Sequence, residues 1–417
     1  MRKPRMGHLP LATFIAFSAA ALSLTGCRGH VAAPYPTWAT PSASYVPQAA
    51  SGNAYDGYAL AALSVEATGG KQLTRVSFYP DQRKAAIAVC DPAIKQIETA
   101  SKLPCDFRFV PRPPFTPAPY QQGWRLIGRA LEWKIEASAQ AADFDAAINL
   151  GILATRFGLD LTGGGATDAS LGYVIADDAR RALAPWLPKM GAAQLEKLAK
   201  GVEEALARKP GLAKTLNHEA DNIRMSVQAL QDAFQKNDFK QFEENLGPEA
   251  REAVEYLQGL RSNDTKRVAY FAGFAKEAEG EIRWLLACAA QPTAKREKEP
   301  KFPSELERPW KRFAHHLFLS GRPIIQMDDR TLARTRLLVL NADLIFAAKT
   351  AKRYPSDLSG FPADIKTDPF TGEPFLYRQN GAQYEIYSVG ENLTDDAGDT
   401  DDTFTTPDLT LERSQQG

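Results

Sequence analysis

The sequence predicts a mainly α-helical body followed by a small α+β module at the C-terminal end. Three observations predict it. Apolar residues recur at helix spacing through most of 58–292. A stretch rich in Pro and charge, 292–309, then interrupts the pattern. Beyond it, one amphipathic segment is followed by two β-prone runs that flank Asn380-Gly381, the strongest short hairpin signal. The chain has 417 residues, 44% hydrophobic and 24% charged, enough apolar material for a sizeable core divided between two domains. Lys plus Arg and Asp plus Glu both count 50, and no Lys/Arg stripe with interleaved aromatics occurs. Without a basic field, nucleic acid is not an expected partner.

At the N-terminus, Arg2, Lys3 and Arg5 form a positive cluster. Residues 9–24 are an apolar run too short and too rich in Ala and Ser for a membrane span, and Leu24-Thr25-Gly26-Cys27 follows. This arrangement resembles a bacterial lipoprotein signal with its lipobox. The resemblance implies removal of 1–26 and acylation of Cys27, giving a membrane anchor in which each buried CH₂ contributes about 0.8 kcal/mol. Arg28, rather than Asp, after the cysteine implies an outer-membrane anchor facing the periplasm. The alternative is an ordinary secretory peptide in which Cys27 is incidental. Residues 27–57, rich in Pro, Ala, Ser and Tyr and without periodicity, suit a flexible tether between lipid and body.

The body is expected over 58–292. Export places its cysteines in an oxidising compartment, so Cys90 and Cys105, which flank the short segment CDPAIKQIETASKLPC, are expected to pair as a disulfide; two separate buried thiols are the alternative. Cys288 reads as a small core residue, and without any CxxC pair a cysteine zinc site is not expected. Apolar spacing predicts helices over 124–137, from Asp143 onward with that acid as cap, and over 168–183, 192–207, 212–235, 248–260 and 265–290. Residues 293–327 read as a linker or an extended helical part.

No catalytic set stands out in this body. His218-Glu219-Ala220-Asp221-Asn222 begins like HExxH but lacks the second His, and reads as an ordinary helix surface. His315 and His316 are adjacent, so on a helix they point about 100° apart and cannot share a ligand. Gly163-Gly164-Gly165 lacks the Gly-Lys-Ser/Thr of a phosphate loop and reads as a helix-breaking turn. Pairs such as Asp143 with Asp145, or Asp177 with Asp178, suit helix ends and solvent faces. No GxSxG is present.

The C-terminal module is expected over 328–412. Asp328 and Asp329 are placed to cap a helix whose apolar positions Leu337, Leu340, Leu344, Ile345 and Ala348 share one face, ending near Tyr354 because Pro355 disfavours helix before it. The β-prone runs are 375–378 and 383–389. An acidic loop follows. From Glu391 to Asp402 it holds six carboxylates in twelve residues, with no Lys or Arg among them. Each close pair repels by about 1 kcal/mol even in water. A divalent cation removes that cost, and calcium accepts about six to eight oxygens of the kind this Asp/Asn/Thr-rich loop supplies. The loop is not an EF-hand, since the required third acid, the Gly and the final Glu are missing. The alternative is a solvated acidic run.

The ordered set of motifs over 331–411 resembles the soluble headpiece of the major pseudopilin of bacterial type II secretion systems. It comprises a helix ending in Arg353-Tyr354-Pro355, the stretch DPFTGEPF at 368–375, a hairpin, Tyr384-Glu-Ile-Tyr-Ser-Val-Gly390 and the acidic loop. The resemblance covers about a fifth of the 417-residue chain and implies a calcium-closed loop. By position it implies ligands at the Val389 carbonyl, Asn392, Asp399 and Asp402, with Asp395, Asp396 and Asp401 as substitutes. It does not imply a pilus subunit: the chain begins with a lipobox and places some three hundred residues ahead of the headpiece helix. The body also resembles segments that precede such headpieces in uncharacterised exported proteins of planctomycete-type genomes. The resulting expectation is a membrane-anchored extracytoplasmic binding or structural lipoprotein, with a possible protein partner in the cell envelope, and not an enzyme. The alternatives are a periplasmic hydrolase that uses the module for docking or stability, and an accessory of a secretion or pilus machine.

Overall fold

The computed structural model describes residues 45–49, 51–70, 80–117, 119–246, 248–300, 317–398 and 408–411. The expected signal, Cys27, the tether up to residue 44, His315, His316, Asp399, Asp401 and Asp402 lie outside them. The described chain is mainly helical with one two-stranded antiparallel sheet.

The first helix, α1 (Ala54–Val65), starts inside the expected tether. Asn53 caps it by accepting from the Tyr55 N–H at 3.1 Å, and Ala54, Tyr55 and Asp56 are buried. The packed body therefore starts by residue 53 rather than at 58. Helix α2 (Pro80–Ala100) follows, with Pro92 inside it. It runs through the segment expected to be a disulfide-closed loop. Cys90 and Cys105 are free. From Cys90 the helix continues to Ala100, a rise of about 15 Å, and the chain then docks on α1 through the Ala54 N–H bond to the Pro104 carbonyl. The two thiols are thus held at separate levels of the bundle, and burial pushes Cys90 up to about 12 and raises Cys105 as well.

Helices α3 (Gln121–Gln140), α4 (Phe144–Leu161), α5 (Ala166–Leu183), α6 (Ala192–Arg208) and α7 (Leu212–Lys236) come within a few residues of the sequence expectation. Asp143 caps α4 through the Ala146 N–H, as expected. The α4–α5 crossing is close: a Cβ on Gly158 would stand 2.6 Å from the Gly172 carbonyl, and one on Gly172 would stand 2.3 Å from the Gly158 carbonyl. Two facing glycines let these backbones touch.

Helices α8 (Lys240–Leu246), α9 (Pro248–Gly259) and α10 (Asp264–Cys288) pack with α7 around a second core that includes Phe234, Phe271, Phe274 and Leu285. Cys288 is buried in this core, as expected. Among the described residues the body therefore holds two main apolar clusters, the larger built on α1 to α6, and a small third one of Leu159, Ala176 and Ala205. Helix α11 (Gly321–Ala351) runs through both. Ile324 and Ile325 sit in the second cluster, while Ala333, Leu337, Leu340 and Leu344 sit in the first. It begins seven residues before the expected cap, so Asp328 and Asp329 are not caps but buried mid-helix acids.

After α11 come a short helical turn, α12 (Ala363–Lys366), and the hairpin β1 (Leu376–Asn380) and β2 (Gln383–Tyr387). The register pairs Asn380 with Gln383, so the turn centre is Gly381-Ala382, one residue later than Asn-Gly. Only Gly381 takes a positive φ there, at 62°. That matches the turn class with Gly in the first central position. Phe370, Phe375, Ile386 and Leu411 belong to the same cluster as α3 to α6, so the module shares the body's core.

Candidate functional site

The DPFTGEPF stretch is a compact turn built on Asp368. Its N–H donates to the Glu373 carbonyl at 2.7 Å, its carbonyl accepts from Gly372 at 2.8 Å, and its buried carboxylate accepts from the Phe370 N–H at 2.9 Å. Gly372 has φ of 80°, a conformation glycine takes without strain. Burial raises the Asp368 carboxyl, while N–H groups of Phe370 and Val389 and the Ser388 hydroxyl pull it back down. Asp368 thus ties this turn to the start of the acidic loop.

Within that loop, Asn392 Oδ1 accepts from the Thr394 N–H and its amide donates to Asp396 at 2.9 Å. Asp395 accepts from the Tyr387 hydroxyl and the Ala397 N–H, both at 2.9 Å, and stands 3.4 Å from Arg378. These bonds hold the Asp395 carboxyl below its usual range, the Ala397 N–H contributing most. Arg330 on α11 stands 2.7 Å from Glu391. Part of the repulsion in the loop is therefore relieved by cations from β1 and α11 that a reading of the loop alone does not reveal.

The residue that closes the loop is Asp408. Its Oδ2 accepts from the Gly398 N–H at 2.7 Å and the Asp396 N–H at 3.1 Å, while Leu409 forms a two-bond bridge with Ser388. Asp408 is 1% exposed, and its Oδ1 has no hydrogen-bond partner among the described residues. Burial raises its carboxyl, and Asp396 and Asp395 add to that rise. Val389 is buried beside this bridge. Of the expected ligands, Val389, Asn392, Asp395 and Asp396 thus gather on one loop with Asp408, but Asp395 is already committed to a tyrosine, an arginine and a backbone N–H. Among the described residues, no three His, Cys, Asp or Glu side chains converge as a metal group.

Comparison with protein-family models, curated proteins and solved structures finds no match for this chain. The structure alone therefore bears on the site.

In the body, Glu219 and His218 are not a helix surface. Glu219 is buried on α7 and accepts from the Ala166 N–H at 2.9 Å and the Asn222 amide at 3.1 Å, with the Ser320 hydroxyl on its other oxygen. Helix α5 has no side-chain cap of its own at Gly165, so Glu219 caps it from another helix. His218 stacks on Phe109 with ring centroids 4.3 Å apart and reaches the Gly163 carbonyl at 2.9 Å. Gly163-Gly164-Gly165 is the expected turn, and it must be glycine: a Cβ on Gly164 would stand 2.7 Å from the Phe107 ring. Arg112 pairs with buried Asp168 at 2.9 Å. Buried Asp328 meets Lys209 at 2.5 Å and the Tyr173 hydroxyl at 2.8 Å, and Asp329 binds Arg296 and Thr293. The acids expected at solvent faces also do more: Asp177 pairs with Arg180 of its own helix and with Arg334 of α11, and the second pair ties α5 to α11.

Proposed function

We propose that this chain is a membrane-anchored extracytoplasmic lipoprotein with a binding or structural role, and that its C-terminal pseudopilin-like module is closed by calcium. The observation that carries the calcium reading is Asp408: a buried carboxylate with one oxygen unpartnered, set against a loop rich in acids and amides. An oxygen-only donor set of carboxylates, an Asn and a backbone carbonyl suits a hard divalent cation. The residues that would hold it are Asp408, Asp396, Asn392 and the Val389 carbonyl, together with Asp399, Asp401 and Asp402. The cation would supply positive charge where the acids repel; it would do no covalent chemistry.

The buried acids of the body favour a binding or structural role over the hydrolase alternative. Glu219 is consumed as a helix cap and Asp328 and Asp329 as ion-pair partners, so these carboxylates hold helices together.

Two measurements on the full chain test the reading. Calcium titration by calorimetry should show saturable binding that is weakened in Asp408→Asn and Asp396→Asn; heat without saturation at millimolar calcium removes the metal. In detergent phase partitioning, the expressed protein should enter the detergent phase and Cys27→Ser the aqueous phase. Equal partitioning of both removes the anchor.

A further inference from the structure

One edge of β2 faces a cleft between the hairpin and the body. In an antiparallel pair, the N–H and C=O groups of successive residues point alternately to the two edges of a strand. Ser388 exchanges both of its backbone bonds with Leu409, at 3.0 and 2.8 Å, so its groups point away from β1. Two residues back, those of Ile386 point the same way, and among the described residues no backbone group pairs with them. The chain thus lays down one residue pair of a third strand and then leaves it, with Arg180 of α5 holding the Leu411 carbonyl. Beside this edge lies a cleft of about 420 Å³, within the range of about 300–1,000 Å³ typical of ligand sites. Leu187 and Pro188 of the 3₁₀ turn Ala184–Lys189 and Ile345 of α11 line it, as do Ala397 and Gly398 of the acidic loop. The Tyr384 hydroxyl donates to Asn341 Oδ1 at 2.7 Å and ties β2 to α11. Among the described residues that line the cleft, Glu385 is the only charged one, and it is exposed with no ion-pair partner.

An unpaired strand edge is a template for another strand, and an apolar cleft alongside adds pockets for alternate side chains. We infer that this edge binds an extended peptide segment of a partner protein, apolar at alternate positions and carrying a Lys or Arg that meets Glu385. Ile386 supplies the backbone pairing, the cleft selects the apolar residues, and Glu385 selects the basic one. The chain's own continuation, 412–417, lies outside the described residues and fits this chemistry poorly. In the register set by Ser388 and Leu409, Glu412 falls opposite Glu385, and like charges directly opposite are destabilising. The inference rests on the binding role proposed above and gives that role a surface, but it needs neither the lipid anchor nor the metal.

The test titrates the full chain into a fluorescently labelled, amidated peptide of five residues, the length of β2. The probe is Thr-Val-Lys-Val-Thr, with a counterpart in which Glu replaces Lys, and anisotropy is read in calcium and in chelator. The Lys peptide should bind saturably in at least one of the two media. Glu385→Lys should weaken it by about fivefold or more and strengthen the Glu peptide. Glu98→Lys, an exposed acid of α2 that does not line the cleft, should leave binding unchanged. N-methylation separates strand pairing from side-chain contact: because alternate amides face the edge, methylating both Val should differ sharply from methylating Lys and the last Thr, one pattern abolishing binding and the other sparing it. No binding in either medium, equal binding of the Lys and Glu peptides, unchanged affinity in Glu385→Lys, or equal effects of the two methylation patterns overturns the inference. So does binding that appears only after truncation at Leu411, which gives the edge to the chain's own tail, or a dimer that Glu385→Lys dissociates, which gives it to a second copy. Calcium heat and detergent partitioning report on the metal and the anchor whatever the peptide does.

Discussion

Replacing Asp408 by Asn tests the closure of the acidic loop with little change in volume. In the parent, the carboxylate holds two N–H groups, at 2.7 Å from Gly398 and 3.1 Å from Asp396. Hydrogen bonds to a charged acceptor contribute roughly 1.5–3 kcal/mol each, and neutral ones about 1 kcal/mol. Asn retains one carbonyl oxygen, so the expected loss without calcium is about 1–3 kcal/mol, confined to the loop and its bridge to Ser388. With calcium at a hundred times its dissociation constant, the parent gains about 2.7 kcal/mol from binding. At about 2.1 cal/mol/K of unfolding entropy per residue, each kcal/mol shifts the melting point of so long a chain by on the order of 1–2 °C. Calcium should therefore raise the parent's melting temperature by about 3–5 °C and that of Asp408→Asn by much less. Calorimetric scans in calcium and in chelator measure the global effect, and hydrogen exchange at the Asp396 and Gly398 amides measures the local one. If calcium shifts both proteins equally, or if those two amides exchange at the same rate in parent and variant, Asp408 does not close the loop.

Other predictions follow from the body. Gly158→Ala and Gly172→Ala each force the α4 and α5 backbones apart and should cost about 1–3 kcal/mol, read by denaturant unfolding. Lys209→Met leaves Asp328 buried without its cation and should cost about 3–5 kcal/mol; the double variant with Asp328→Asn should recover part of this, since Tyr173 still has an acceptor. Burial, reinforced by Asp178 and Glu136, pushes Glu132 up to about 7, against the pull of Arg181 and Arg129. A raised carboxyl stabilises the fold at low pH and loses that contribution as pH rises from its ordinary value through 7, so Glu132→Gln should flatten the decline in stability between about pH 4.5 and 7. Because Cys90 and Cys105 are free, melting should be the same with and without reductant, and the oxidised protein should show no mass loss of about 2 Da.

The helices were legible wherever the information was local. The Asp143 cap, the periodic apolar faces and the glycine turn at 163–165 each specify structure within one or two turns of chain, and the structure follows them closely. Helix α2 was not legible because a cysteine and Pro92 interrupt its pattern, and both invite a loop reading. Residues acting across long sequence separations were also missed. Glu219 caps a helix that starts fifty-three residues earlier, and Asp408 closes a turn from ten and twelve residues away. A buried acid carries the same letter as an exposed one. The available signal was indirect: a helix start at Gly165 with no side chain to cap it must find its acceptor elsewhere.

That long-range wiring changes what the C-terminal module is. Helix α11 lays its first turns in the α7–α10 core and its middle against α5 and α6, and the hairpin then packs over the same apolar cluster. Residues 293–296, which the composition marks as a linker, are bonded to Asp329 of α11 and to the Phe370 carbonyl. Removing the module would take Leu337, Leu340 and Leu344 out of the main core and strand Lys209 without Asp328, so its helix is a structural member of the body. A metal that closes the acidic loop would then act on more than a terminal appendage. Arg330 joins Glu391 of that loop to α11, and Arg180 joins α5 to the Leu411 carbonyl next to Asp408. Order in the loop is coupled through these two arginines to the helices that separate the two cores, so calcium binding should raise the unfolding temperature of the whole chain in one transition.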